Sequence, residues 1–211
     1  MPTTRYVNSR GETVPGVTTV IGKNLGWNKG ALLYWANQEG LAGRSHRDTA
    51  QRAADAGTVG HYLIECDIMG VEPDCSGFDP SILSSGETAY LNFLEWKETF
   101  RFRPIASEVH LVSEKHQFGA TPDLIAEVNG KVCLVDWKTG NGVYPDHKIQ
   151  LAAYRVAWEE NNPDMPITGF HLLRIAKNDA SFAHYYWHSL PEAWEVFKHL
   201  LAIHDLYKAL K

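Results

Sequence analysis

Gly119-Ala120-Thr121-Pro122-Asp123-Leu124-Ile125-Ala126-Glu127-Val128-Asn129-Gly130-Lys131-Val132-Cys133-Leu134-Val135-Asp136-Trp137-Lys138 is a pair of apolar runs joined by Asn129-Gly130. A type I′ turn needs positive φ at both central residues, which Asn-Gly accepts with least strain, so the stretch predicts a two-residue β-hairpin. With 129 and 130 as the loop, Val128 faces Lys131 and opposed residue numbers sum to 259, which sets Asp123 across from Asp136. Lys138 falls on the same face as Asp136, one strand period further on. Opposed strand residues have Cβ atoms roughly 4.5–5.5 Å apart, and like charges there are destabilising. A divalent cation would offset the repulsion, since hard cations take carboxylate oxygens. Two carboxylates, a cation and an ammonium suit phosphodiester hydrolysis, in which the metal polarises the phosphate and acidifies a water. Taken singly, an Asp or Lys near a strand end is more often a solvated surface group, and a one-residue slip of the hairpin would undo the pairing.

Outward from the hairpin, the chain reads as mixed α/β. On the N-terminal side, Arg5-Tyr6-Val7 and Val17-Thr18-Thr19-Val20 read as short extended segments around a turn at Ser9-Arg10-Gly11. Asn28 is placed to cap a helix bearing Ala31, Leu32, Trp35 and Ala36. A second helix is expected from near Thr58 through His61, Leu63, Ile64 and Ile68, and a third through Ala89, Leu91, Phe93, Leu94 and Trp96. Glu108 to Val112 reads as the first strand of the catalytic sheet. On the C-terminal side follow a helix from about Asp146 to Glu160, strands Gly169 to Ile175 and Phe182 to His188, and a helix opened by Pro191. Helices, then three strands, then helix and strand imply an α/β (α+β) sheet domain.

The 211 residues, 44% hydrophobic, are enough for one substantial core and cramped for two, so residues 1–211 are expected to form a single domain. Within it, 1–106 would form N-terminal strands and helices, 107–190 the catalytic core and 191–211 a C-terminal helix. No apolar run approaches the ~18 residues of a membrane span, and Met1-Pro2-Thr3-Thr4-Arg5 lacks a secretory h-region, so a soluble cytoplasmic protein is expected. Cys66, Cys75 and Cys133 form no Cys-x-x-Cys pair and no even-numbered framework. The net charge of −5 counts against non-specific phosphate binding, although residues 1–60 carry seven Lys/Arg against four Asp/Glu. Arg44, Arg47 and Arg52 are the natural candidates for a local DNA-binding surface.

Pro122-Asp123, an interval of twelve residues, and Asp136-Trp137-Lys138-Thr139 resemble the PD-(D/E)XK nuclease motif in its RecB-like exonuclease form. Gln150-Leu151-Ala152-Ala153-Tyr154 resembles the Gln-x-x-x-Tyr motif of that group, and Gly57-Thr58-Val59-Gly60-His61 its upstream Gly-Thr-x-x-His segment. Val17-Thr18-Thr19-Val20 with Trp35 resembles the N-terminal part of phage and mitochondrial members. The resemblance spans residues 15 to 160 and implies a restriction-endonuclease-like core, a central mixed sheet flanked by helices. It further implies His61, Asp123 and Asp136 as metal ligands with the Trp137 carbonyl, and Lys138 as the catalytic lysine, with Gln150 and Tyr154 completing the site.

Without that context a lone helical His is more often structural, and Gln150 and Tyr154 could equally belong to a half-buried helix. Glu65, one turn after His61, is either an imidazole partner or a solvated neighbour, and Glu108 is a possible acid behind the ligands. The cofactor implied is Mg2+ or Mn2+, with His61 favouring manganese at least as well as magnesium. Three cysteines are too few for the iron–sulfur cluster of some members, and no nucleotide-binding motif occurs. The partners implied are DNA, with a free end for an exonuclease in recombination, repair or replication, and a recombination or single-strand-binding protein; a phage-encoded member would act in the bacterial host cytoplasm. The readings left open beside it are a structure-specific endonuclease of the same fold, a non-catalytic DNA-binding module, and a sheet protein with a small-molecule role.

Overall fold

A computed structural model describes residues 4–139, 142–175 and 182–210. Its centre is a five-stranded mixed sheet in the order β3 (Phe102–Ser107), β6 (Leu124–Val128), β7 (Lys131–Lys138), β8 (Gly169–Ile175), β9 (Phe182–Trp187). The hairpin forms in the expected register, from Val128 opposite Lys131 to Leu124 opposite Val135, with Asn129 at φ 51° and Gly130 at φ 78°. β7 and β8 run parallel, joined by a crossover through α5 (Pro145–Asn161); the other neighbours in this sheet are antiparallel. Pro145 opens α5, where its missing N–H leaves no helical bond unmade.

Residues 133–137 of β7 are buried on both faces, as a central strand between two helical layers requires. Ile125, Leu134, Phe170 and Leu172 pack against α1 (Val17–Asn24), α5 and α6 (Pro191–Ala209). Leu124, Val135, Trp137 and Leu173 face α3 (His46–Met69) and α4 (Pro80–Glu98). Before them lie a small hairpin, β1 (Tyr6–Val7) with β2 (Thr13–Val14), and α2 (Lys29–Leu41). A second hairpin, β4 (Leu111–Ser113) with β5 (Phe118–Ala120), precedes β6. No helix among the described residues is long and apolar enough to cross a membrane.

Three local expectations need correction. Val17 to Val20 is not extended but opens α1, because Val17, Val20 and Ile21 recur at helical spacing and bury one face against the core. The helix carrying His61 begins at His46, capped by the Ser45 side chain accepting from Asp48 N–H, so Gly57 and Thr58 lie inside it. Glu108 to Val112 is not one strand: β3 ends at Ser107, Glu108 turns at φ 48°, and β4 starts at Leu111.

On the α4 side of β8, His171 Nδ1 meets His184 Nε2 at 2.9 Å, enclosed by Trp96, Phe100 and Tyr186, with Lys131 and Cys133 lining the adjacent cavity. Burial first, then the neighbouring His184, lowers His171 to about 4. The unfolded chain takes up a proton near pH 6.5 that the native state refuses. Stability is therefore full above that pH and falls as pH drops toward 4, by on the order of 3 kcal/mol. Urea unfolding of His171→Asn at pH 7 and pH 4.5 should show a smaller acid loss than wild type; equal losses would remove the pair from the acid limb.

Candidate active site

The expected residues meet at one end of the sheet. Asp123 precedes β6, where its carbonyl accepts from Glu108 N–H at 3.2 Å and from the Ser107 hydroxyl at 3.1 Å, tying the exit of β3 to the entry of β6. Its Oδ2 accepts from the Trp137 backbone N–H at 3.2 Å, which links the two arms of the hairpin beyond the last ladder pair. Asp136 is fully buried, and Lys138 Nζ lies 2.7 Å from its Oδ2. Lys138 is the charge partner of Oδ2, while Oδ1 has no hydrogen-bond partner among the described residues. Such a group is expensive to keep unless something outside the fold binds it.

The charges respond to this crowding. Burial and the facing Asp123 raise Asp136 to about 6, against the pull of Lys138. Burial also raises Asp123, opposed by Lys138 and the Trp137 N–H. For Lys138 burial works to lower the pKa, but Asp136 and Asp123 outweigh it and hold the ammonium charged.

His61 reaches this cluster from α3, with Nδ1 4.0 Å from Asp123 Oδ2 and its ring 5.5 Å from that of Trp137. The Trp137 side chain points to the α4 face against Phe93. One donor atom each from His61, Glu108 and Asp123 lies within 4.8 Å of the others, a set fit for a metal ion. Glu108 is raised to about 8, by burial first and then by Asp123, Glu65 and Asp136. Its positive φ, which costs of order 1–3 kcal/mol in a non-glycine residue, turns the carboxylate into the site instead of along a strand. Glu108, expected behind the ligands, instead has an oxygen among them, and the signal for this in the sequence is an acid that follows Ile105-Ala106-Ser107 and precedes Val109. An acidic, donor-starved cluster with one imidazole fits a divalent cation better than any neutral ligand.

From α5, Gln150 Nε2 donates to the Tyr154 hydroxyl at 2.6 Å. Tyr154 is raised well above its ordinary value, by burial and then by Asp123 and Asp136, and stays protonated. Beside these groups opens a cleft of about 500 Å3 lined by Ala53, Ala54, Gly57, Thr58, His61, Lys138, Tyr144 and His147. Of the three arginines, Arg44 is held by the buried Glu39 through contacts of 2.9 and 2.8 Å, while Arg47 and Arg52 are exposed on α3.

The profile of the PD-(D/E)XK nuclease superfamily matches residues 72–198, a span that contains Glu108, Asp123, Asp136, Lys138, Gln150 and Tyr154. The chain belongs to that superfamily. No curated protein matches it. Among solved structures it is similar to LHK-Exo in complex with dAMP, at 14% identity over 73% of this chain and 83% of that one, with a TM-score of 0.42.

Proposed function

We propose that this chain is a RecB-like deoxyribonuclease that hydrolyses DNA phosphodiesters with magnesium or manganese, working as an exonuclease from a free end. The observation that carries the reading is Asp136, fully buried with one oxygen unpartnered, set beside Asp123 and paired to the charged Lys138. His61, Glu108, Asp123 and Asp136, with the Trp137 carbonyl, would hold the cation. Bound there, the cation would polarise the scissile phosphate and acidify a water.

The remaining work falls to the chain's own groups. Lys138 would balance negative charge developing on the phosphate. Since Tyr154 accepts from Gln150, its own O–H is left to donate, toward a carboxylate or a DNA phosphate. Arg47 and Arg52 would meet the backbone on the approach side, which makes binding weaken steeply with salt. Arg44 would contribute only by leaving Glu39. The N-terminal part, supplying His61, and the core act as one nuclease domain in this reading, with a role in cytoplasmic recombination, repair or replication beside a recombination or single-strand-binding protein.

Digestion of end-labelled linear DNA and closed circular DNA, with magnesium, with manganese and with chelator, tests the proposal. Linear substrate should be degraded from an end with either metal, and circles and chelated samples left intact. Cleaved circles would replace the exonuclease reading with an endonuclease; no cleavage of any substrate would sink the nuclease assignment to this site.

A further inference from the structure

We propose that the strand being cut runs from the site into an aromatic groove that binds unpaired bases, so the preferred substrate presents a single-stranded or frayed end. This rests on the nuclease reading and adds the form of DNA that the site accepts. The groove has a volume of about 770 Å3 and is walled by Leu25, Trp27, Leu32, Trp35, Tyr144 and Pro145. That is the size range of sites for drug-sized ligands, roughly 300–1,000 Å3. Trp27 is 63% exposed and Tyr144 53%, which leaves their ring faces open to a ligand.

The occupant follows from continuity and chemistry. Tyr144 and Ala53 line both this groove and the cleft at Lys138 and His61, so one ligand can lie across the two. A duplex offers that surface nothing, because its base faces are hidden in the stack and its exterior is phosphate. Unpaired bases offer flat apolar faces, and aromatic side chains hold them without regard to sequence. The polar groups among the walls, Asn28, Asp146, the Tyr144 hydroxyl and the indole N–H groups of Trp27 and Trp35, can meet base edges, and none carries a positive charge to hold phosphate. The exposed rings therefore take bases while Lys138 and the metal ligands take the backbone. The groove owes its opening to α2, whose buried positions reduce to Glu39 and which leaves Leu32, Leu33 and Tyr34 exposed.

The test is binding in chelator, where no cleavage occurs, to a blunt hairpin duplex, the same duplex with a short single-stranded extension, and the same extension made of abasic residues. Stacking of one base is worth roughly five- to a hundredfold in affinity. Wild type should bind the base-bearing extension at least fivefold more tightly than the abasic one and the blunt duplex. Trp27→Ala, a surface change that does not threaten the core, should bring the ratio toward one, and Trp27→Phe should restore most of it. Equal affinity for base-bearing and abasic extensions, or an unchanged ratio in Trp27→Ala, overturns the inference. The same oligonucleotides with magnesium separate the two claims: cleavage without base-dependent binding sinks the groove alone, and neither cleavage nor binding sinks both.

Discussion

Lys138→Ala is expected to lower the proposed metal-dependent DNA cleavage by two orders of magnitude or more while the protein stays folded. The lysine is paired with Asp136 and, in the proposed reaction, would balance charge developing on the phosphate. Its ammonium lies 2.7 Å from Asp136, and the full burial of that carboxylate limits the water that can screen the pair. Loss of a preorganised electrostatic group of this kind commonly costs a hundredfold or more in rate. Asp136→Asn should fall as far, since it keeps the shape but removes the charge that holds Lys138 and would hold a cation. The measurements are initial rates on end-labelled linear DNA with magnesium, alongside circular dichroism of each variant. Wild-type cleavage by Lys138→Ala would move the chemistry away from this cluster.

A large loss of stability is expected from Gly86→Leu, at a crossing of two helices that carries none of the site's own side chains. Gly86 lies where α4 comes close to α3: a Cβ there would stand 2.8 Å from Val59 Cβ and 3.1 Å from the backbone N of Gly60. Val59 is buried and the Gly60 nitrogen is main chain, so neither can step aside without moving α3. Overpacking of this sort costs about 3 kcal/mol, which for a chain of this length lowers Tm by roughly 6–12 °C. The function should suffer beyond the lost stability, because His61 follows Gly60 directly and any outward shift of α3 carries it from Asp123. Gly77→Leu, at a position with open space around it, serves as the control and should leave both Tm and activity alone. A Tm for Gly86→Leu within 2 °C of the control would show that the helices can part freely, against the tight crossing.

The parts legible in the sequence were those set by local rules. Asn129-Gly130 specifies a turn whose geometry dictates the strand register, and the register brings Asp123, Asp136 and Lys138 together with no tertiary information. The parts that were not legible depend on distant contacts. Val17 to Val20 carries β-branched residues that favour a strand, yet burial of one helical face against α5 and α6 decides the matter. The start of α3 at His46 is hidden because its first turns, His46 to Ala54, are mostly exposed and carry no large apolar side chain. Glu108 looked like a strand residue until the chain's turn into β4 and the N–H contact to Asp123 gave it a left-handed backbone. His61 had its context from a short motif, but its approach to Asp123 rests on how closely α3 and α4 cross.

The hairpin also bears on the order in which the molecule folds. Its ends are joined by two residues, and such turns close in roughly 1–10 μs, whereas the parallel pairing of β7 with β8 must wait for α5 to cross between them. Closing this local hairpin brings Asp123 and Asp136 near each other without help from α3 or α5, so the repulsion between the two carboxylates works against the turn that positions them.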